Sequence, residues 1–367
     1  MFAFPDRLRG RYAAYVLSVA MLASAERVSA QVQRDTVTSV SAAELARIVD
    51  TLVFRLRTTY LDTAIGRRMA DVVRRRHIAG DYSRLLSPRA LADSLTAQLR
   101  LESGDSHMRV RYRQYGTTAP SVVGDSAGRA KRREQYLRDA RWDNFGFDAV
   151  RVFPGSVGYV ELHEFMDPQY AGQTVSAAME FLRHSRAIII DLRRNGGGYE
   201  RLVQLMIAYF LERPTLLWTT FDRLNDRRAE AWSAPYAPGG RINPDVSVYV
   251  LTSARTFSAA EMFADVMKGS LRATIVGQRT RGGGNFGDFL RLNSRFDVFI
   301  SYGTTVSAFT GRSLEKVGVT PDIEASSDSA LIVARTRALR TIRASLSDQE
   351  LIDEVDAALE QLERDGR

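Results

Sequence analysis

The sequence predicts an α/β core entered through a small N-terminal helical domain. Two observations point to the core. From residue 157 onward, short apolar runs alternate with amphipathic stretches, the pattern of strands joined by helices. The run Ala187-Ile188-Ile189-Ile190-Asp191-Leu192 is apolar up to its aspartate, as a strand covered on both faces requires. A third observation marks the helical entry. Between Ser41 and Leu101 apolar residues recur at spacings of three and four, which is helical periodicity.

Taken in chain order, residues 1–30 read as a signal peptide. Arg7, Arg9 and Arg11 precede an apolar stretch from Ala13 to Ala25, and Val28 and Ala30 place small residues before a cleavage at Gln31. That stretch is too short for a hydrocarbon core of ~30 Å. The expectation is a periplasmic or secreted protein with no stable membrane insertion after cleavage. Residues 31–107 form the helical domain, with Leu45, Ile48, Leu52 and Leu56 on one face and Leu91, Leu95 and Leu99 on another. Ser87-Pro88 reads as an N-cap followed by proline at the first helical position. The domain ends at Gly104-Asp105-Ser106-His107.

Residues 108–149 form a connecting segment, with a strand at Met108–Tyr112 and a charged helix from Asp125 to Arg141. This segment is expected to offer an arm to a second copy of the chain. Residues 150–328 carry the α/β core. Its expected strands are 157–162, 187–192, 246–251, 273–276 and 296–301, and its expected helices 173–184, 202–211 and 259–267. Residues 329–367, rich in Leu, Ala, Arg and Glu, read as C-terminal helices.

Composition narrows the chemistry. The 367 residues contain no cysteine, which excludes disulfides, thiolate-bound zinc and a cysteine nucleophile. Of 51 basic residues only Lys131, Lys268 and Lys316 are lysine, and the histidines are His77, His107, His163 and His184. A mechanism needing a lysine or histidine base therefore has seven candidates. The net charge of +8 loses four arginines and two acids with residues 1–30. Runs such as Arg74-Arg75-Arg76 lack interleaved aromatics and lie in helical patterns, so they read as solvated faces rather than a nucleic-acid surface.

Three turns carry candidate chemistry. Asn195-Gly196-Gly197-Gly198 follows the buried strand and opens bare backbone N–H groups to a ligand, although a tight strand–helix turn needs the same glycines. Ser258-Ala259-Ala260-Glu261 opens a helix after strand 246–251. A serine there sits in the positive field of a helix N-terminus, yet Ser-x-x-Glu is equally a capping box, and on the motif alone the cap is favoured. Gly282-Gly283-Gly284-Asn285-Phe286-Gly287 fits GxGxxG, but strand-like alternation follows it instead of a helix, which argues against dinucleotide binding. Lys268 lies ten residues after Ser258, about 15 Å along the same helix, and is out of reach as its base. His107 stands at a Gly-led turn between segments of opposite character, and a lone histidine there is more often structural than catalytic.

In combination these segments resemble peptidase family S41, which includes the carboxyl-terminal processing proteases, the tricorn core and the interphotoreceptor retinoid-binding modules. The resemblance runs from about Ser41 to Ile323. It rests on Asn144-Phe145-Gly146-Phe147, Asp191-Leu192-Arg193 with Gly196-Gly197-Gly198, Ser258-Ala259-Ala260-Glu261, and Glu315-Lys316-Val317-Gly318-Val319-Thr320-Pro321-Asp322, in the family's order. It implies a ClpP/crotonase-like α/β fold. The processing proteases use a Ser–Lys dyad, but the matching lysine position here holds Gly283, so the chain resembles the histidine-bearing branch instead. By that resemblance Ser258 is the nucleophile and His107 the general base, with Glu315 and Ser106 supporting the imidazole. Ala259 together with Gly197 or Gly198 supplies the oxyanion hole. About 50 residues between His107 and strand 157–162 leave no room for an inserted PDZ domain. The resemblance implies a serine peptidase acting on peptides or unfolded chains without cofactor or metal. A non-catalytic binder of apolar ligands on the same scaffold is the alternative.

Overall fold

The computed structural model of the chain describes residues 39–85, 87–113 and 126–365. The signal-peptide reading of residues 1–30 lies outside them. Three helices open the described chain: α1 (Ala42–Thr59), α2 (Thr63–Ile78) and α3 (Pro88–Ser103). Each begins where a side chain can accept a first-turn N–H. Ser41 accepts from Glu44, Asp62 from Ala64 and Ile65, and Ser87 from Ala90. Proline at the start of α3 is as the sequence implies.

After β1 (Arg109–Tyr112) come α4 (Ser126–Trp142), a 3₁₀ turn (Asn144–Gly146), β2 (Phe147–Phe153), β3 (Val157–Leu162), α5 (Pro168–Leu182), β4 (Ala187–Asp191) and α6 (Glu200–Ala208). The chain continues through β5 (Leu216–Asp222), β6 (Arg227–Trp232), β7 (Ser247–Thr252), α7 (Ala259–Gly269), β8 (Thr274–Gly277), β9 (Asn285–Arg291) and β10 (Phe296–Ser307). It closes with β11 (Ile323–Glu324), α8 (Ala330–Ser345) and α9 (Gln349–Asp365).

The main sheet has the order β11-β8-β7-β4-β3-β2. Its strands run parallel except β2, which pairs antiparallel with β3. β4 lies inside the sheet, and its side chains alternate between two cores. Ile188 and Ile190 join α5, α6 and α7 on one face, while Ala187 and Ile189 join α8 and α9 on the other. All four are fully buried, which explains the unbroken apolar run: both faces are covered. Each buried isoleucine contributes about 1.5–3 kcal/mol relative to exposure.

The second sheet is antiparallel, with order β1-β10-β5-β6 and β9 also on β10. Here the structure departs from the expected domains. The N-terminal helices do not enclose a core of their own. Leu45, Leu52, Leu56, Leu95 and Leu99 share one with Val110, Phe296, Val298 and Ile300, and the described residues from Ser39 onward form one compact unit. The boundary at 107 separates two sequence patterns, not two bodies. The boundary at 150 falls within β2. The β5–β6 hairpin was not expected, because Arg223, Asp226, Arg227 and Arg228 interrupt its alternation with charge.

Candidate active site

The parallel strands β4 and β7 deliver the first two turns to one edge of the sheet, at their carboxyl ends, where open α/β sheets gather ligands. Asp191 ends β4. It is almost fully buried, and accepts from the Tyr159 hydroxyl at 2.8 Å and from Arg193 N–H at 3.0 Å. The next residues are tied to the β7 turn by hydroxyls. Ser253 Oγ donates to the Arg193 carbonyl at 2.6 Å, and Thr256 Oγ1 to the Leu192 carbonyl at 2.8 Å. Asn195 completes the tie. Its amide donates to the Leu162 carbonyl at 3.0 Å, and its carbonyl accepts from Phe257 N–H at 3.1 Å.

These ties press the glycine turn against Ser258. At Gly197, φ is +107°, and an added Cβ would come within 2.8 Å of Ser258 Cβ and 3.1 Å of Ala259 N. Only glycine fits there. Ser258 itself has φ 58° and ψ −123°, a conformation a serine holds only when its surroundings enforce it. Such strain on a strand–turn–helix junction is stored where function uses it.

Glu261 is the enforcing group. Its fully buried carboxylate accepts from Ser258 N–H at 2.8 Å, Gly283 N–H at 2.7 Å, Gly282 N–H at 2.6 Å and Thr280 Oγ1 at 2.5 Å. The glutamate satisfies the serine's backbone N–H, and it also ties the Ser258 turn to the 280–283 loop.

His107 arrives from α3 and packs on this assembly. Its ring centroid lies 4.3 Å from that of Phe257, the residue before Ser258, and 5.9 Å from that of Phe299 on β10. Its side chain is 10% exposed. A Cβ at Gly283 would lie 2.7 Å from His107 Cε1 and would strike the Phe257 ring. A side chain at 283 and this imidazole compete for one space, so the glycine and the histidine imply each other. Ser258 Oγ and His107 form no hydrogen bond in this structure; such contacts are often long before substrate binds.

Lys268 is held elsewhere, by the Thr320 carbonyl at 2.7 Å and Asp322 at 2.8 Å. His163 pairs with Asp148 at 3.0 Å, while its carbonyl accepts from Gly196 N–H.

The support around His107 differs from the expectation. Ser106 forms no side-chain hydrogen bond among the described residues. Asp105, which the sequence did not single out, is fully buried, and its Oδ1 lies 3.7 Å from His107 Nδ1. Asn285 and Tyr60 reach its other oxygen. Glu315 is also present. A carboxylate oxygen from each acid and a ring nitrogen of His107 lie within 4.8 Å of one another. Glu315 Oε2 accepts from Gly284 and Asn285 N–H, both at 3.0 Å.

The two acids titrate apart. Burial, reinforced by the charge of Asp105, pushes the Glu315 carboxyl up to about 7. Burial acts the same way on Asp105, but hydrogen bonds and the neighbouring His107 hold it below the usual carboxylate range.

Gly197 is corrected as an oxyanion donor, since its N–H is spent on Asn195 Oδ1 at 2.8 Å. Among the described residues, the N–H groups of Gly198 and Ala259 have no protein acceptor. The GxGxxG stretch runs into β9, not a helix, which removes the dinucleotide reading. The signals for the overlooked residues were weak: Asp105 is one aspartate before a turn, and Asn195 a turn asparagine.

Residues 156–325 match the model of peptidase family S41. Over 178 residues the chain is 30% identical to the chloroplastic carboxyl-terminal-processing peptidase 3 of Arabidopsis thaliana, covering 46% of this chain and 31% of that one. Over 175 residues it is 27% identical to the carboxyl-terminal-processing protease of Synechocystis sp., covering 46% and 38%. The chain thus spans about a third of the length of these relatives. Among solved structures, one from Parabacteroides merdae superposes with a TM-score of 0.55 at 19% identity, covering 83% of this chain and 99% of that one. A lipoprotein from Streptococcus agalactiae gives 0.54 at 16%, covering 80% and 96%. Ser258 and Glu315 fall within the matched residues and His107 before them. Over residues 156–325, then, the chain is similar to peptidase family S41.

Proposed function

We propose that this protein is a serine endopeptidase in which Ser258 is the nucleophile and His107 the general base. The observation that carries the reading is the strained Ser258 at the head of α7, with the imidazole packed at a tilt against the adjacent Phe257. His107 takes the Ser258 proton as the hydroxyl attacks the scissile carbonyl, then returns it to the leaving amine. The Ala259 and Gly198 N–H groups receive the developing oxyanion, aided by the positive end of α7. The substrates are peptides or unfolded chains, met outside the cytoplasm after removal of residues 1–30.

The apolar-ligand alternative finds little support. An apolar pocket between Leu217, Trp218, Met262, Val266 and Leu314 has a volume of about 10 Å³, room for one water at most. A larger cavity, about 650 Å³, opens instead beside residues 245–249 with Lys268 and Arg272 among its lining, at the opposite end of β7 from Ser258.

Labelling with a fluorophosphonate tests the proposal. Wild-type protein should label, and both Ser258→Ala and His107→Ala should abolish the signal. Folded wild-type protein that never labels would overturn it.

A further inference from the structure

We propose that Asp105, rather than Ser106 or Glu315, is the positioning residue that orients His107 and balances its positive charge during turnover. The inference rests on the serine peptidase reading above.

Asp105 sits two residues before His107, so its Oδ1 accepts the His107 backbone N–H at 2.8 Å in a local Asx turn. The same oxygen lies 3.7 Å from His107 Nδ1. Backbone and ring of the histidine thus reference one carboxylate oxygen. Asp105 cannot drift. Its own N–H donates to Ser103 Oγ at 3.0 Å, Asn285 Nδ2 donates to Oδ2 at 3.1 Å, and the Tyr60 hydroxyl lies 3.4 Å from that oxygen. Burial and the charge of Asp105 push the Tyr60 phenol up, so it remains a donor.

The His107 Nδ1 atom is buried and has no hydrogen-bond partner at 3.5 Å or less. A buried donor without a partner is costly, and the Asp105 oxygen needs to close by less than about 1 Å to accept it. Glu315 is placed differently. Two backbone amides hold its Oε2, and its Oε1 is buried without a partner. Two carboxylates this close to one imidazole do not both ionise readily. Asp105, the more generously donated to, takes the charge, and Glu315 keeps the proton. An anion is what an imidazolium needs beside Nδ1, and a neutral acid does not supply it.

The Asp105 contact should fix the tautomer with hydrogen on Nδ1, leaving Nε2 free as the base toward Ser258. Histidine-selective ¹⁵N NMR reads this without any substrate, with His107→Ala assigning the resonance. In wild type, His107 should be the Nδ1–H tautomer. In Asp105→Asn that preference should weaken, because the uncharged amide either keeps its oxygen on the His107 N–H as a poorer acceptor for Nδ1–H or turns its NH₂ toward Nδ1 at the cost of that bond, and the rate of fluorophosphonate labelling should fall by about 10²–10⁴-fold. In Glu315→Gln the tautomer should stay as in wild type.

A wild-type His107 found with hydrogen on Nε2 overturns the proposal even if Asp105→Asn fails to fold. So does a tautomer that changes in Glu315→Gln instead, or Asp105→Asn labelling within about threefold of wild type. Wild-type protein that never labels, with the tautomer as expected, would remove the peptidase reading and leave the Asp105 contact standing.

Discussion

Glu315→Gln should make the protein's stability less sensitive to pH, and the size of the effect follows from the burial of one carboxyl. In the unfolded chain this group titrates near its ordinary value of 4.5, and in the folded protein burial beside Asp105 raises it to about 7. Between those values the folded state holds a proton that the unfolded state has released. Wild-type stability therefore falls as pH rises through this window and is flat above it. A shift of this size corresponds to about 3 kcal/mol at 1.36 kcal/mol per pH unit. Glutamine keeps an acceptor for the Gly284 and Asn285 amides but has no charge to bury. Its stability relative to wild type should then rise by about 3 kcal/mol between pH 4.5 and pH 8, whatever offset its new amide introduces. For a body of this size that is roughly 4 °C in Tm. Urea midpoints for both proteins at pH 4.5, 6 and 8 measure it, provided the m-values match. Parallel curves across the window would refute the reasoning, because Glu315 would then carry no penalty for its charge.

Three other expectations concern the site. Gly283→Ala should lower fluorophosphonate labelling about 10²-fold or more by displacing the imidazole, while circular dichroism shows an intact fold. Gly197→Ala should destabilise by about 1–3 kcal/mol and also abolish labelling, since its Cβ would meet Ser258 and its φ of +107° is strained for alanine. Unchanged stability would mean the turn relaxes freely. Glu261→Ala should cost at least about 3 kcal/mol in urea unfolding, because the buried N–H groups of Ser258, Gly282 and Gly283 lose their acceptor. A loss below about 1 kcal/mol would show that water replaces the carboxylate.

Much of the fold was legible because the main sheet is covered on both faces. Burial of that kind writes itself into β4 as an uninterrupted apolar run. The cap at Ser87 and the glycines at 196–198 were legible because local backbone geometry demands those residue types. Among seven possible bases, the resemblance to family S41 singled out His107, with Gly283 at the matching lysine position.

Contacts between distant segments were left to the tertiary structure. That the N-terminal helices share a core with β10 depends on a strand nearly 200 residues away. That Asp105 rather than Ser106 faces the imidazole depends on how one turn is seated between Tyr60 and Asn285. That Gly197 has no N–H to give depends on Asn195 turning back on it. Propensity and periodicity describe a residue's own neighbourhood. The partner of a buried polar group is decided by which elements pack against it, and that is set by the fold as a whole.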